Sequence, residues 1–181
     1  MTRVVVFSDF NCPFCYALNE RLIRLGVDGG VEWRGVQHAP FLPIPLVPWQ
    51  TDLQEELERE VATVQRLAPE VPISCPPGKP NTSFAIRAVA VAQRQDVQQA
   101  RLFKDALYRA LWQEGSDLSD IYLLTRLDGE GGLAACAFDG AMGSWGKAEA
   151  EQWEQDWNHT RSGAVPAMVR SDGARLVGLV G

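Results

Sequence analysis

Residues 4–18 read VVVFSDFNCPFCYAL, and this stretch decides the fold. The apolar, β-branched pattern predicts a fully buried strand over residues 3–7, and the spacing of the following apolar positions predicts a helix over residues 13–25. Cys12 and Cys15 fall at the junction, where one helical turn brings two such positions close enough for a disulfide. We therefore expect a thiol–disulfide site.

The position of Cys12 at the predicted helix start favours ionisation of its thiol. The first N–H groups of a helix have no partner within the helix, and the positive end of the helix dipole lies there. Both effects stabilise a thiolate. Cys12 is therefore expected to be the less buried and more reactive of the two cysteines.

The composition is that of a soluble globular protein with one folding unit. The 181 residues are 46% hydrophobic and 22% charged, and no apolar run approaches the roughly 20 residues that span a membrane. The net charge of −6 argues against nucleic acid as a partner, because nucleic-acid binding depends on clustered Lys and Arg. The first apolar run is too short for a signal peptide, so we expect a cytoplasmic protein that binds no membrane.

The pattern of the remaining sequence predicts a run of helices that separates two sets of strands belonging to one sheet. A weaker strand pattern over residues 31–37 completes a strand–helix–strand unit, which implies parallel pairing. Helical patterns fill residues 50 to about 130 and return over residues 133–159, and residues 164–180 have the spacing of a β-hairpin. The predicted division is a discontinuous thioredoxin-like domain, residues 1–49 and 130–181, with an inserted helical domain, residues 50–129.

Three segments resemble the DsbA family of the thioredoxin superfamily. They are residues 7–16 around Cys-Pro-Phe-Cys, residues 80–87 with an Asn-Thr start of a helix as in the cytoplasmic FrnE-like branch, and residues 163–167 around Val-Pro. The resemblance spans nearly the whole chain. It implies an α/β, thioredoxin-like fold with a helical insertion domain, as in DsbA, and a thiol–disulfide oxidoreductase.

Two features depart from the family pattern. Ala164 stands where a glycine usually precedes Val-Pro, which is a mild change. In the family a closing helix follows the hairpin, whereas this sequence ends at Gly181. We therefore expect one face of the sheet to lack that cover.

The resemblance also implies the roles of the two thiols. Cys12 would attack a substrate disulfide to give a mixed disulfide, and Cys15 would resolve it; the reverse direction would oxidise a dithiol. The predicted substrates are disulfides or dithiols, on proteins or on small molecules. The sequence does not indicate the direction of electron flow, the physiological substrate or the oligomeric state.

Four further residues are candidates for substrate binding. Pro13 and Phe14 would tune the thiolate and offer an apolar rim. By resemblance, Pro166 would be cis and would place the backbone of Val165 where an extended substrate can pair with it. The alternative for Pro166 is an ordinary trans proline at the first residue of a strand.

Two other classes of protein are alternatives. A zinc site would need two more ligands, but Cys75 lies in Cys-Pro-Pro-Gly without a partner, so we predict no metal. A glutathione-dependent isomerase or transferase of the kappa or hydroxychromene-carboxylate-isomerase type usually has serine where Cys12 stands. We therefore expect no resident cofactor. If the protein belonged to this second class, glutathione would be its co-substrate. A non-catalytic module that recruits a partner through its helices is a further alternative.

The remaining polar and thiol side chains receive simpler interpretations. Asp9, three residues before Cys12, could assist proton transfer if buried, but an exposed turn aspartate is the simpler expectation. His38 and His159 are expected to be polar loop or helix-end residues. Cys75 and Cys136 are expected to be core or loop thiols, with an accessory redox pair as the alternative.

Overall fold

A computed structural model describes residues 4–48, 51–130 and 143–180. Within these ranges one four-stranded sheet is flanked by helices. In chain order the elements are β1 (Val4–Ser8), α1 (Pro13–Arg24), β2 (Val31–Gly35), α2 (Thr51–Leu67), α3 (Ser83–Gln95), α4 (Val97–Trp112), α5 (Ile121–Glu130), α6 (Ser144–Thr160), β3 (Ala167–Arg170) and β4 (Arg175–Val177). Cys136 lies outside the described residues.

The strand β1 is central in the sheet, whose order is β2-β1-β3-β4. It pairs in parallel with β2, with Ser8 opposite Gly35, and antiparallel with β3, with Val4 opposite Arg170. A central strand is covered on both faces, which explains why β1 is continuously apolar. The carboxyl ends of β1 and β2 lie at the same edge, so the chain segments that follow them meet there.

The helix α1 begins at Pro13, with Cys12 as its N-cap residue. A proline is tolerated in the first helical turn because its missing N–H would have no partner there. The helix ends before Gly26, whose φ of +66° is the left-handed conformation that glycine adopts without strain. The predicted strand–helix–strand start and the predicted β3–β4 hairpin are both confirmed.

The helix α4 shows where the sequence predicts packing well and where it does not. Asp96 caps it by accepting hydrogen bonds from the N–H groups of Gln98 and Gln99, at the predicted start. The helical spacing in the sequence predicts an inward face of Leu102, Phe103, Ala106, Leu107 and Leu111, and this is wrong for Leu102, because its exposed fraction is 59%. The stripe Phe103, Leu107 and Leu111 repeats every four residues and covers the core, which leaves Leu102 on the solvent side.

The sequence pattern predicts that the tryptophan-rich segment before the hairpin docks on the sheet, and helix α6 does so. The ring of Trp153 packs edge-on against Trp33 of β2, with 5.9 Å between centroids. Trp157 packs against a small cluster formed by Phe7, Val36 and Ala167. Among the described helices, none is both long and apolar enough to cross a membrane.

Candidate active site

The two thiols lie at the junction of β1 and α1. Cys12 is the N-cap residue of α1 and Cys15 lies in its first turn. Both cysteines are free, and their exposed fractions are 6% and 1%, so Cys12 is the less buried, as predicted. The Cys15 sulfur accepts a hydrogen bond of 3.5 Å from the N–H of Asp9.

The two thiols have pKa values that shift in opposite directions. Burial opposes ionisation of Cys12, but hydrogen bonds from the thiol and the N–H of Cys15, together with the charge of His38, lower the pKa of Cys12 below its ordinary value. Burial raises the pKa of Cys15 well above its ordinary value, and the hydrogen bond and the charge of Cys12 add to this rise. The site therefore favours ionisation of Cys12 before Cys15.

The loop before β3 contacts Cys12. The carbonyl oxygen of Val165 lies 3.8 Å from the Cys12 sulfur, and the Val165–Pro166 peptide bond is cis. The N–H of Gly178 donates to the Pro166 carbonyl at 2.9 Å, which ties this loop to the end of the hairpin. The fold thus brings together Cys12 and Val165, which are 153 residues apart in sequence.

The two residues between the cysteines differ in accessibility. Pro13 is buried, whereas Phe14 is half-buried and packs at the margin of the core. Phe14 is therefore the member of this pair that can offer an apolar surface beside Cys12.

Asp9 is fully buried, so the expectation of an exposed turn aspartate is wrong. Its Oδ1 accepts a hydrogen bond of 2.7 Å from the Thr82 hydroxyl. Its Oδ2 accepts from the backbone N–H of His38 at 2.9 Å and lies 2.7 Å from the Nδ1 of the same residue. These hydrogen bonds make burial of the carboxylate tolerable, because they replace its contacts with water.

His38 belongs to the site, although the sequence suggested an ordinary loop residue. Its side chain is 31% exposed, and its Nδ1–H points at the Asp9 carboxylate. Burial alone would lower the pKa of His38, but the hydrogen bond and the charge of Asp9, together with the charge of Cys12, raise it above its ordinary value; Lys79 opposes this rise. The raised pKa of His38 favours its cation, and the charges of His38 and Cys12 stabilise each other.

One sequence signal could have located this pair of residues. Asp9 directly follows β1, and His38 comes three residues after the end of β2. Since parallel strands end at the same edge of a sheet, residues just after each strand are candidates to meet. Thr82 is a further missed residue: it precedes α3 as its N-cap, but its side chain makes no capping hydrogen bond and binds Asp9 instead.

The opposite side of the thiol pair is different. Cys15 and Ser8 line a cavity of about 390 Å³ whose other walls include apolar side chains of β1, β2, α1 and α4 and four charged side chains, Asp28, Glu32, Arg101 and Lys104. The Ser8 hydroxyl lies 2.6 Å from the hydroxyl of Tyr108, a fully buried residue of α4. The Cys15 sulfur receives hydrogen bonds from two neutral groups, the Ser8 hydroxyl and the N–H of Asp9.

Cys75 is the third cysteine among the described residues. Cys75 is exposed, and burial of part of its side chain and the charge of Glu58 raise its pKa. Among the residues that the structure describes, no group of three or more His, Cys, Asp or Glu side chains is placed to hold a metal ion.

The sequence model of the DSBA-like thioredoxin domain family matches residues 3–179. The chain therefore belongs to this family, and the predicted α/β, thioredoxin-like fold of the DsbA type is confirmed. The chain is also 28% identical to the uncharacterized protein YwbO of Bacillus subtilis over 152 residues, which are 77% of this chain and 71% of YwbO.

Three solved structures share this fold. The probable DsbA oxidoreductase SCO1869 from Streptomyces coelicolor has a TM-score of 0.77 and 19% identity, covering 98% of this chain and 84% of that one. A 2-hydroxychromene-2-carboxylate isomerase has a TM-score of 0.76 and 20% identity, covering 97% and 88%. The cytosolic disulfide reductase DsbM from Pseudomonas aeruginosa, solved with GSH, has a TM-score of 0.74 and 18% identity, covering 97% and 88%.

Proposed function

We propose that this chain is a thiol–disulfide oxidoreductase that cycles Cys12 and Cys15 between a dithiol and a disulfide. The observation that carries the proposal is the pair of free thiols at the start of α1, with the Val165 carbonyl beside Cys12; the pKa shifts, lowered for Cys12 and raised for Cys15, agree with it. A thiolate is the attacking species in disulfide exchange, and a protonated second thiol does not compete with it. Membership of the DsbA-like family supports the same class of enzyme.

The proposed reaction proceeds through a mixed disulfide on Cys12. The Cys12 thiolate attacks one sulfur of a substrate disulfide, which breaks that bond and releases the first substrate thiolate. Cys15 then loses its proton and attacks the Cys12 sulfur, which releases the second substrate thiolate. The substrate gains two electrons, and the Cys12–Cys15 disulfide forms; the reverse sequence oxidises a dithiol.

The substrate surface in this proposal combines the loop at Val165–Pro166 with Phe14, whereas the buried Pro13 would influence the thiolate without contacting substrate. Support comes from the Val165 carbonyl, which lies beside the Cys12 sulfur. An extended substrate would pair with the backbone of Val165, and Phe14 would contact its apolar side chains. Residues 50–129 would act as an inserted domain that covers this groove and selects what enters it.

A glutathione-dependent isomerase is the second candidate. The similar fold of the isomerase and the presence of GSH in the DsbM structure favour it. It would use glutathione as a co-substrate and Cys12 where related enzymes usually have a serine. A saturable glutathione complex with isomerase turnover in Cys15→Ala protein would support this candidate, because isomerisation needs no resolving thiol.

The expected partners and location follow from the same proposal. The substrates are disulfides or dithiols of proteins or small molecules, with neither nucleic acid nor membrane as a partner. A cytoplasmic location is supported by the fold shared with a cytosolic disulfide reductase.

Reduction of insulin or of a small aromatic disulfide, with a thiol as the electron source, tests the proposal. Wild-type protein should turn over, and Cys12→Ser should fall to the background rate because the attacking sulfur is lost. Cys75→Ser is the matched control: it removes an exposed thiol outside the site and should retain full activity. Full activity of Cys12→Ser would contradict the proposed role of Cys12.

A further inference from the structure

We infer that Asp9 and His38 form a redox-linked proton site, in which His38 binds a proton when the Cys12–Cys15 disulfide is reduced and releases it when the pair is oxidised. This inference rests on the proposed dithiol–disulfide cycle and adds a proton carrier to it. His38 acts here as a positioning residue: it works through its charge on Cys12.

The geometry fixes the charge-bearing state of His38. The Asp9 carboxylate can only accept hydrogen bonds, so the 2.7 Å contact places a proton on Nδ1 of His38. The backbone N–H of His38 and the Thr82 hydroxyl occupy the same carboxylate and hold it in place. A second proton then binds at Nε2, and the buried negative charge of Asp9 stabilises the resulting cation.

Cys12 supplies the dependence on redox state. Cys12 is held next to this pair, because its N–H donates to the carbonyl oxygen of Asp9 at 3.3 Å, and in the reduced protein its thiolate adds a second negative charge that acts on His38. In the disulfide that charge is gone, whereas the contacts between Asp9 and His38 do not involve the bond that changes. Because linkage is reciprocal, a cation that stabilises the thiolate is itself stabilised by it.

Reduction of the Cys12–Cys15 disulfide requires two electrons and two protons. An external dithiol such as dithiothreitol gives two electrons and two protons and becomes a disulfide, while the Cys12–Cys15 bond breaks. One proton goes to the Cys15 sulfur. The second goes to Nε2 of His38, and Cys12 remains a thiolate; oxidation reverses each transfer.

The other charges near His38 do not change with the redox state. Lys79, from the segment before α3, opposes the positive charge of His38. Its ammonium is paired at 3.2 Å with Glu60 of α2. Within the described part of the chain, the charges of Asp9, Cys12 and Lys79 act on the pKa of His38, and Cys12 alone among these three takes part in the disulfide.

The two histidines of the chain make a direct test. Protein labelled with ¹⁵N at histidine is titrated by NMR in the oxidised and reduced states, after mass spectrometry has established the Cys12–Cys15 disulfide. The pKa of His38 should be higher in the reduced state, by on the order of one unit for an opposite charge in the same site. His159, exposed near the end of α6, is the internal control and should titrate identically in both states.

Two variants separate the inference from a structural effect. Reduced Cys12→Ser should give His38 the pKa of the oxidised wild type, because the thiolate is absent. Asp9→Asn should lower the pKa of His38 in both states. An equal His38 pKa in oxidised and reduced wild type would overturn the inference and leave the proposed function standing, whereas failure of Cys12 and Cys15 to form a disulfide would overturn both.

Discussion

The two sides of the thiol pair are built differently. The Cys12 side, formed by Cys12, Asp9, His38 and Val165, is polar and charged. The Cys15 side, formed by Cys15, Ser8 and Tyr108, is buried and offers neutral hydroxyls to the thiol, while charged side chains line part of the adjoining cavity. Two cysteines in one helical turn therefore differ in reactivity because of what surrounds them.

This difference explains why the two cysteines of the motif are not equivalent and why Cys12 is expected to attack first. A Cys-x-x-C sequence alone does not say which thiol attacks. The cation on the Cys12 side and the burial of Cys15 both favour the same distribution of charge. Changes confined to one side should therefore affect one thiol.

The largest effect is expected when each cysteine is removed in turn. Cys15→Ala should lose turnover but accumulate a covalent mixed disulfide with substrate, because the attacking thiolate remains and the resolving thiol is gone. Mass spectrometry after mixing with a disulfide substrate measures the adduct. Cys12→Ser should give no adduct. An adduct on Cys15 in that variant would contradict the proposed difference in reactivity between the two cysteines.

The pH dependence of alkylation should distinguish Cys12 from Cys75 within one protein. The lowered pKa of Cys12 means that its reaction with iodoacetamide rises with pH through a range below the ordinary thiol value, whereas the raised pKa of Cys75 places its rise above that range. Peptide mapping across a pH series measures both. Cys75 is the more exposed of the two. Faster labelling of Cys75 than of Cys12 at pH 6 would therefore show that accessibility, and not ionisation, determines the rate of alkylation.

Removing the cation should weaken the Cys12 side selectively. His38→Gln keeps a donor for Asp9 but no charge, so the pKa of Cys12 should rise, and the thiolate fraction should fall about tenfold for each unit of rise while the pH is below that pKa. Ultraviolet absorbance of the thiolate across a pH titration measures this. His159→Gln is the matched control and should leave the titration unchanged.

The smallest effect is expected on the Cys15 side. Tyr108→Phe removes the hydroxyl that pairs with Ser8 and should lower the free energy of unfolding by about 1 kcal/mol, the usual net value of a buried hydrogen bond. The Cys12 pKa should not change. Urea denaturation measures the loss, and Tyr122→Phe, on an exposed side chain, should cost nothing.

Much of the fold could be predicted because β1, the cysteine-bearing helix and the hairpin each have a clear local pattern. Leu102 was misplaced because a leucine beside an inward stripe cannot be assigned to the core by periodicity alone. The thiol pair and the Val165 loop could be predicted through a resemblance that spans the chain. The division at residues 49–50 and 129–130 and the FrnE-like branch stay predictions.

The polar half of the site was missed because it depends on contacts between distant segments. Asp9 was expected in solvent, since nothing local shows that Thr82 and His38 supply its hydrogen bonds. Thr82 was expected to cap α3, a local role that its contact with Asp9 replaces. Such contacts follow from strand order and loop paths, which sequence spacing does not give.

A redox titration of Cys12 and Cys15 tests the central claim most directly. The protein is equilibrated in glutathione buffers of graded potential, quenched with acid, alkylated and mapped by mass spectrometry. The account predicts one reversible two-electron transition in which Cys12 and Cys15 are protected together as a disulfide while Cys75 stays alkylated. Persistence of both free thiols across the whole range, or a glutathione adduct on Cys12 that Cys15 never displaces, would contradict it.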